Sequence, residues 1–592
     1  MKTIFDDIQQ SVQQAFPSLF GCEVELHSIT INETLKEFEG DITLVVFPLL
    51  KLSKKKPEET AEIIGKFLIE NHASIASYNV IKGFLNLVLK DDFWISFITS
   101  TNKPTIPSKN ETVLIEYSSP NTNKPIHLGH VRNNVLGYAL AGIFKANGYP
   151  TIKANLINDR GIHICKSMLA WQKFGNGETP ENAGMKGDKL VGKYYVEFDK
   201  HYKQEIENLI QQGKTKEEAE KQAPIFLEAQ AMLLKWENGD QEIVDLWKRM
   251  NAWVYAGFEK TYKNLGVDFD KYYYESNTYL LGKDIVDEGL QKGVFYKKEN
   301  GSVWIDLSAD GLDEKLVLRA DGTSVYITQD LGTADLKYKD FKMNRSIYVV
   351  GNEQDYHFKV LKLILQKLGR PYADGIQHYS YGMVDLPSGK MKSREGTVVD
   401  ADDLMDDMIV AAKEQTEALG KIDDFSEEEK QALFKTIGLG ALKFFLLRVD
   451  PKKRILFDPK ESIDLHGYTG PFVQYTYART RSILRKAIEI KTSETTQNFS
   501  NYQLHSTEKE LIKTLYRYAI VLGDSCKEMN PAKLVDFAYE LAKTFNKFYN
   551  DCPILAAQKE EEKYFRLLLN EQSGETIKKC FAIVGIDVPE RM

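Results

Sequence analysis

Two histidines, His127 and His130, enclose Leu128 and Gly129 in the run EYSSPNTNKPIHLGHVRNN from Glu116 to Asn134. These residue types suit anion binding. A helix N-terminus presents unpaired N–H groups and a partial positive charge, Gly129 keeps no side chain between that backbone and a phosphate, and two imidazoles in the first turn can add donors. The spacing also fits a His-x-x-His metal pair, or histidines that only satisfy local hydrogen bonds. A metal site wants further Cys, His or carboxylate ligands at usable spacing, and none lies nearby in sequence.

Three other groupings could carry chemistry. Tyr326 and Asp330 stand four apart where a β-rich run gives way to a helical one, so a phenol and a carboxylate could face one cavity. A carboxylate pairs bidentately with a planar guanidinium, although Asp330 could equally cap the following helix. The loop Lys390 to Gly396 gathers Lys390, Lys392 and Arg394 within five residues, and a basic loop beside a nucleotide can neutralise charge building on phosphates. As a surface loop it would be unremarkable. Near the C-terminus, PFVQYTYARTRSILRK sets Gln474, Ala478, Arg481 and Arg485 on one helical face, with Tyr475 and Tyr477 beside it. Basic groups hold phosphates and rings stack on unpaired bases, but a core helix with a solvated basic side fits as well.

The elements that must position these groups are legible from periodicity. The apolar run Thr112 to Ile115, the turn Ser-Ser-Pro-Asn, an amphipathic run from Val131 to about Asn147 closed by Gly148 and Pro150, and a β-rich run from Thr151 to Ile157 predict a β-α-β unit with a right-handed crossover. Ligands bind such units at the carboxyl ends of the strands, where His127, Gly129 and His130 fall. A helical, charge-rich insertion is expected over about 165–262, including a helix from Glu242 to Lys260 with Ile243, Trp247, Met250, Val254 and Phe258 on one face. Strand signals at Val303 to Leu307, Ser324 to Thr328, Ser346 to Val350, Tyr379 to Val384 and Thr397 to Val399 would complete the second half of the nucleotide-binding fold. Residues 1–105 read as a separate α+β module with a helix from Ile4, β-runs at Gly40 to Pro48 and Val80 to Leu89, and a charged helix from Pro57. Helical runs from Glu427 to Phe445, Phe472 to Ile490, Glu508 to Cys526, Ala532 to Tyr549 and Glu560 to Phe581 suggest a bundle.

Bulk properties set the class. The chain has 592 residues, 43% of them hydrophobic, and a formal net charge of −8. No apolar run approaches the roughly 20 residues that span a bilayer, and MKTIFDDIQQ has neither a signal-peptide core nor transit-peptide character, so a cytoplasmic chain with no membrane partner is expected. Five scattered cysteines without a CxxC pair suggest neither a disulfide framework nor structural zinc. An acidic total requires any contact with a polyanion to use local basic patches.

His-Leu-Gly-His resembles the HIGH signature of class I aminoacyl-tRNA synthetases, and SSPNTNKPIHLGHVRNN resembles the version carried by arginyl-tRNA synthetases. The likeness continues through Tyr326-x-x-x-Asp330, Gly351-Asn352-Glu353-Gln354, Lys390 to Gly396, Thr469 to Tyr475 and the terminal Pro589-Glu590-Arg591-Met592. It implies a multidomain α/β protein: a tRNA-contacting α+β domain over 1–105, a Rossmann-type catalytic domain with HIGH- and KMSKS-like motifs over 106–425, and a helical anticodon-binding bundle over 426–592. It also implies an arginine–tRNA ligase that forms arginyl-adenylate from L-arginine and ATP, with Mg²⁺ on the phosphates and no tightly bound metal, then charges tRNA(Arg). A monomer is expected.

By the same resemblance Glu116, Asn121, Tyr326, Asp330 and Gln354 surround arginine; His127, Gly129, His130, Lys124 and Lys392 bind ATP; and Tyr475, Arg481 and Arg485 contact tRNA. Catalysis would come from His127, His130, Lys124, Lys390, Ser393 and Arg394 through positioning and charge stabilisation. The loop departs from KMSKS: Ser393 takes the place of the second lysine and Arg394 that of the last serine. Lys124, three residues before His127, resembles the lysine thought to compensate in family members that lack the loop lysine. A small-molecule nucleotidylyltransferase would share HxGH but has no use for an RNA-reading bundle. A catalytically silent RNA-binding relative would not need both histidines and the arginine pocket.

Overall fold

The computed structural model describes residues 3–35, 37–100, 106–385, 399–418, 420, 422–489, 499 and 502–592. Lys390, Lys392, Ser393 and Arg394 lie outside the described residues, as does Thr397. The chain forms two compact units. One comprises Met1–Ile106, Arg479–Ala519 and Glu540–Thr576, and the other Pro107–Ala478, Ile520–Tyr539 and Ile577–Met592.

In the first unit, helix Ile4–Phe20 begins at a capping box in which Thr3 and Asp6 satisfy each other's backbone N–H. An antiparallel sheet follows in the order Thr30–Glu33, Ile42–Val45, Phe84–Leu89, Ile75–Ile81, with helix Pro57–Asn71 as expected. The expected run Val80 to Leu89 is instead a hairpin, because Lys82 (φ 51°) and Gly83 (φ 80°) reverse the chain. The run Glu508 to Cys526 likewise divides into Ser506–Tyr516 and Tyr518–Lys527. Arg517 shares its N–H between the carbonyls of Lys513 and Thr514, while its guanidinium pairs with Glu33 and Glu540.

The second unit is built on a five-stranded sheet ordered Ile376–Tyr381, Arg345–Gly351, Val113–Glu116, Thr151–Ile157, Lys271–Tyr274, with every neighbouring pair parallel. All four residues of Val113–Glu116 are buried, as a strand covered by helices on both faces requires. Leu114, Ala154, Ile327, Leu331, Val360 and Leu361 join in one core cluster. The chain order reverses between Val113–Glu116 and Arg345–Gly351, which opens a crevice at their carboxyl ends.

Two expected strands do not enter this sheet. Val303–Ile305 belongs to a separate antiparallel sheet with Tyr296–Lys297 and Lys315–Leu318, and Tyr326 begins helix Tyr326–Phe341 where Ser324 to Thr328 read as β. Short strands joined by tight turns pair with their sequence neighbours, whereas entering a parallel sheet needs a crossover. Val384–Asp385 pairs with Ile455–Leu456, outside the main sheet. Helix Leu128–Ala146 also departs from expectation: it is buried almost all round rather than amphipathic. Gly137 is required there, since a Cβ would come within 2.3 Å of the Tyr117 ring.

The insertion is helical as expected, and helix Gln241–Leu265 buries Ile243, Met250, Val254 and Phe258. Trp247 is half-buried and donates to the Asp159 carbonyl at 2.7 Å. Cys165, Cys526, Cys552 and Cys580 are buried and Cys22 is half-buried. Among the described residues no helix is long and apolar enough to cross a membrane.

Candidate active site

Strand Val113–Glu116 ends in a strained turn, with Ser118 at φ 76° and Ser119 at φ 44°. The turn is held from several sides. Ser118 N–H donates to Asn133 Oδ1 at 2.6 Å, Ser119 N–H donates to Asn155 Oδ1 at 3.1 Å, and the Ser118 and Tyr262 hydroxyls lie 2.7 Å apart. The loop then delivers His127 to the N-cap of helix Leu128–Ala146.

The histidine pair is a reciprocal cap. His127 Nδ1 accepts from Gly129 N–H at 3.2 Å, His130 Nδ1 accepts from His127 N–H at 3.3 Å, and the ring centroids are 4.0 Å apart. Burial, helped by the charge of Lys124, pushes the His127 imidazole down to about 3. Burial, the His127 ring and Lys124 hold His130 well below the usual histidine range. Both rings are therefore neutral at pH 7, and with Nδ1 accepting, each keeps its proton on Nε2. The pair supplies two neutral N–H donors at a helix N-terminus. Part of the local hydrogen-bonding alternative is thus real, since one nitrogen of each ring is spent on the cap.

Behind this turn Arg132 is completely buried, and its guanidinium donates to four carbonyls: Gly382 (2.5 Å), Met383 (2.9 Å), Pro451 (3.1 Å) and Lys453 (2.8 Å). Asn133 Nδ2 donates to the Val349 carbonyl (2.7 Å) and the Tyr381 hydroxyl (3.1 Å). These two side chains fasten the histidine-bearing helix to the strand ends of the sheet's second half. The residues after the basic loop are fastened as well, since Leu128 N–H donates to the Val399 carbonyl and Ala401 N–H to the Ile126 carbonyl. Sequence reasoning passed over Arg132 and Asn133; the signal was three consecutive polar residues, Arg132 to Asn134, inside a largely apolar helix.

Beside the turn lies a cavity of about 950 Å³. Asn121, Lys124 and Tyr326 line it, together with Arg160, His163, Tyr195, Glu275 and Gln329. Tyr326 is 78% exposed, so its ring stands free at the rim. Arg160 lies over the Tyr279 ring at 3.9 Å and pairs with Glu237 at 2.8 Å. Burial pushes the Glu275 carboxyl up to about 7 against the pull of Arg160, with Asp159 and Asp330 adding to the rise. Asp159 anchors the insertion: its carboxylate accepts from the Ser276 N–H, the Ser276 hydroxyl and the Tyr255 hydroxyl. Sequence reasoning assigned no role to Asp159, Arg160 or Glu275; the first two are adjacent, and Glu275 lies more than a hundred residues further along the chain.

The other expected arginine-pocket residues are not among the cavity walls. Glu116 is buried and pairs with Lys337 Nζ at 2.5 Å, a lysine only 1% exposed. Removing one member of such a pair costs about 3–5 kcal/mol because the other charge is stranded. Asp330 does not cap its helix; it sits one turn in and its Oδ2 meets His357 Nε2 at 2.6 Å. Gln354 is exposed on the short turn Asn352–Gln354 that ends strand Arg345–Gly351.

The basic C-terminal helix, Gly470–Glu489, is not a single exposed face. Gln474 is buried, with its Nε2 donating to the carbonyls of Thr436 and Asp587, and Tyr477 is buried, with its hydroxyl on Glu590 at 2.6 Å. Ala478 is buried too. Tyr475 and Arg481 are half-buried and Arg485 is exposed. The core-helix reading therefore holds at 474, 477 and 478, because the terminal residues Asp587 and Glu590 pack there. Among the described residues no three His, Cys, Asp or Glu side chains converge to hold a metal ion.

Comparison with known proteins names this arrangement. Residues 96–458 match the family described as tRNA synthetases class I (R), catalytic domain, and residues 473–592 match the DALR anticodon binding domain. An arginine–tRNA ligase of Flavobacterium psychrophilum is 55% identical over 99% of both chains, and one of Bacteroides thetaiotaomicron is 53% identical over the whole of both. The arginyl-tRNA synthetase structure of Thermus thermophilus superposes with a TM-score of 0.82 at 23% identity, covering 100% of each chain, and so shares the fold. Given a reversal of strand order, a histidine-capped helix at that reversal, and sequence likeness running the full length of the chain, this protein belongs to the arginyl-tRNA synthetase family of class I aminoacyl-tRNA synthetases.

Proposed function

We propose that the crevice between Val113–Glu116 and Arg345–Gly351, with the adjoining cavity, performs the two steps of arginine–tRNA ligation. An arginine carboxylate oxygen bonds the α-phosphorus of ATP, and the bond from that phosphorus to the bridging oxygen breaks, releasing pyrophosphate. A ribose hydroxyl at the tRNA 3′ end then bonds the arginyl carbonyl carbon, AMP leaves with the electron pair of the acyl–phosphate bond, and the hydroxyl proton is released. Neither step needs a protein nucleophile.

The observation that carries this reading is the neutral histidine pair. Two Nε2–H donors fixed by their own backbone cap can meet an oxyanion with no reorganisation, which favours the transition state over the bound substrate. Lys124, on the cavity wall and close enough to depress His127, would supply positive charge to the phosphates. Lys390, Lys392 and Arg394 would join from the basic loop, with Ser393 contributing no charge. Mg²⁺ would arrive with the triphosphate as part of the substrate. On the amino-acid side Asp330 would hold the guanidinium, with Tyr326, Asn121 and Gln354 around the rest of arginine. The burial of Glu116 against Lys337 makes its role support of the strand end rather than direct contact.

For RNA, Arg481 and Arg485 would contact phosphates and Tyr475 a base, with residues 1–105 applied to the outer part of tRNA as a further domain. The boundaries 106–425 and 426–592 remain those proposed for catalysis and anticodon binding, in a monomer of the cytoplasm. The test is incorporation of labelled arginine into acid-precipitable tRNA, with ornithine, lysine and citrulline as competitors. Arginine-specific, ATP-dependent labelling is the expected result; nucleotidyl transfer without tRNA labelling would favour the small-molecule transferase.

A further inference from the structure

Asp330 is held by a partner that the proposed reaction does not use. His357 Nε2 lies 2.6 Å from Asp330 Oδ2, a short hydrogen bond to a carboxylate oxygen. The two side chains come from different helices: Asp330 from Tyr326–Phe341, and His357 from the first turn of Asp355–Lys367, just past the end of strand Arg345–Gly351. His357 packs edge-on against Phe358 (5.6 Å, 87°), and Phe358 stacks on His378 (4.6 Å, 29°). His378 is pinned in turn, with Nε2 at 3.0 Å from the Val350 carbonyl and Nδ1 at 3.0 Å from Asp355 Oδ1. The His357 ring is thus tied to the end of the strand.

We propose that His357 is a positioning residue that fixes the plane of the Asp330 carboxylate, and that this fixing makes the site selective for a planar guanidinium over an ammonium. The inference rests on the reading that Asp330 holds arginine. A carboxylate turns easily about its last torsion, which is broad and two-fold. A forked guanidinium needs both oxygens in its own plane, whereas an ammonium is a point charge that needs only nearness. One hydrogen bond to Oδ2 stops the rotation and still leaves Oδ1 and a second lone pair on Oδ2 for the fork. Lys337, on the same helix, is paired with Glu116.

Calorimetry on the full chain tests this, using His357→Leu, His357→Gln and Asp330→Asn with arginine and ATP, together with lysine as a competitor of arginine. A hydrogen bond to a charged group contributes about 1.5–3 kcal/mol, so His357→Leu should weaken arginine about ten- to a hundredfold. The inhibition constant of lysine and the affinity for ATP should stay within about twofold. His357→Gln, whose amide can donate from near the same point, should recover most of the loss, and His357→Leu should add nothing in an Asp330→Asn background. Unchanged arginine affinity in His357→Leu, with loss in Asp330→Asn, overturns the inference alone. Retained arginine affinity in Asp330→Asn overturns the reading beneath it. Parallel losses for arginine and lysine, or for all three ligands, overturn the selectivity claim in favour of a general packing role.

Discussion

The two halves of the crevice are built on opposite plans. On the proposed phosphate side His127, Gly129 and His130 lie within four consecutive residues, are half-buried, and are tied into their own helix cap. On the proposed arginine side Asn121, Tyr326, Asp330 and Gln354 come from three segments of the chain; Asn121, Tyr326 and Gln354 are exposed, and the half-buried Asp330 meets a partner from another helix. Donors for a phosphate can all come from one helix start, so a rigid local cradle serves it. Amino-acid identity is what must differ, and an assembly of distant side chains can be varied one residue at a time. The contrast predicts that damage to the arginine side appears in binding, and damage to the phosphate side in turnover.

The largest effect is expected at Asp330. Asp330→Asn removes the counter-charge of the guanidinium, and leaving a buried cation unpaired costs 2–5 kcal/mol or more, so arginine affinity should fall on the order of 10³-fold with ATP affinity intact. Discrimination of arginine over citrulline should vanish with it; calorimetry with both ligands reads the result, and equal damage to ATP binding would break the contrast. Next come the histidines. His127→Ala or His130→Ala should lower kcat about 10²-fold with little change in the Michaelis constant for ATP, the signature of a donor used mainly in the transition state. A rise in that constant with normal kcat would mean that the cradle binds substrate and transition state alike.

A smaller loss is expected at Lys124, where other cations can partly substitute. Lys124→Ala should cut arginine-dependent exchange of pyrophosphate into ATP about tenfold or more, and adding Ser393→Lys should restore part of it, since either site can bring charge to the same phosphates. Near-normal exchange in Lys124→Ala would assign the work to Lys390, Lys392 or Arg394. Outside the crevice, Arg481→Ala and Arg485→Ala should each raise the Michaelis constant for tRNA several-fold and reduce its salt slope by about one, leaving arginine and ATP unaffected.

The weakest and most diagnostic effect concerns pH. The folded-state values of His127 and His130 lie below the ordinary 6.5, so as pH falls from about 6.5 towards 3 the unfolded chain takes up protons that the folded site refuses. Stability is therefore full above that window and is lost as pH falls through it, by up to about 1.4 kcal/mol per pH unit for each histidine. Denaturant midpoints of the protein and of His127→Asn, compared at pH 7 and pH 5, should show a shallower fall in the variant. Identical slopes would mean that the rings are already charged.

The histidine-capped helix start and the strands beside it were legible in the sequence because every step is local. The apolar run Val113 to Ile115, the turn at Ser118 and Ser119, the spacing of His127 and His130, and the closing Gly148 and Pro150 each act within a few residues of themselves. What tertiary structure decided is where distant polar groups go. Nothing within a few residues of Glu116 announces that Lys337 will neutralise it, nor that the terminal Asp587 and Glu590 will bury Gln474 and Tyr477. Nor does the local sequence show that Arg132 will donate to four carbonyls some 250 or more positions away. Periodicity reports which side of an element is apolar, and it classed the helix after His130 as amphipathic when the fold covers it almost all round. A polar side chain can be buried only where partners from elsewhere in the chain satisfy it, and those partners exist only once the chain has folded.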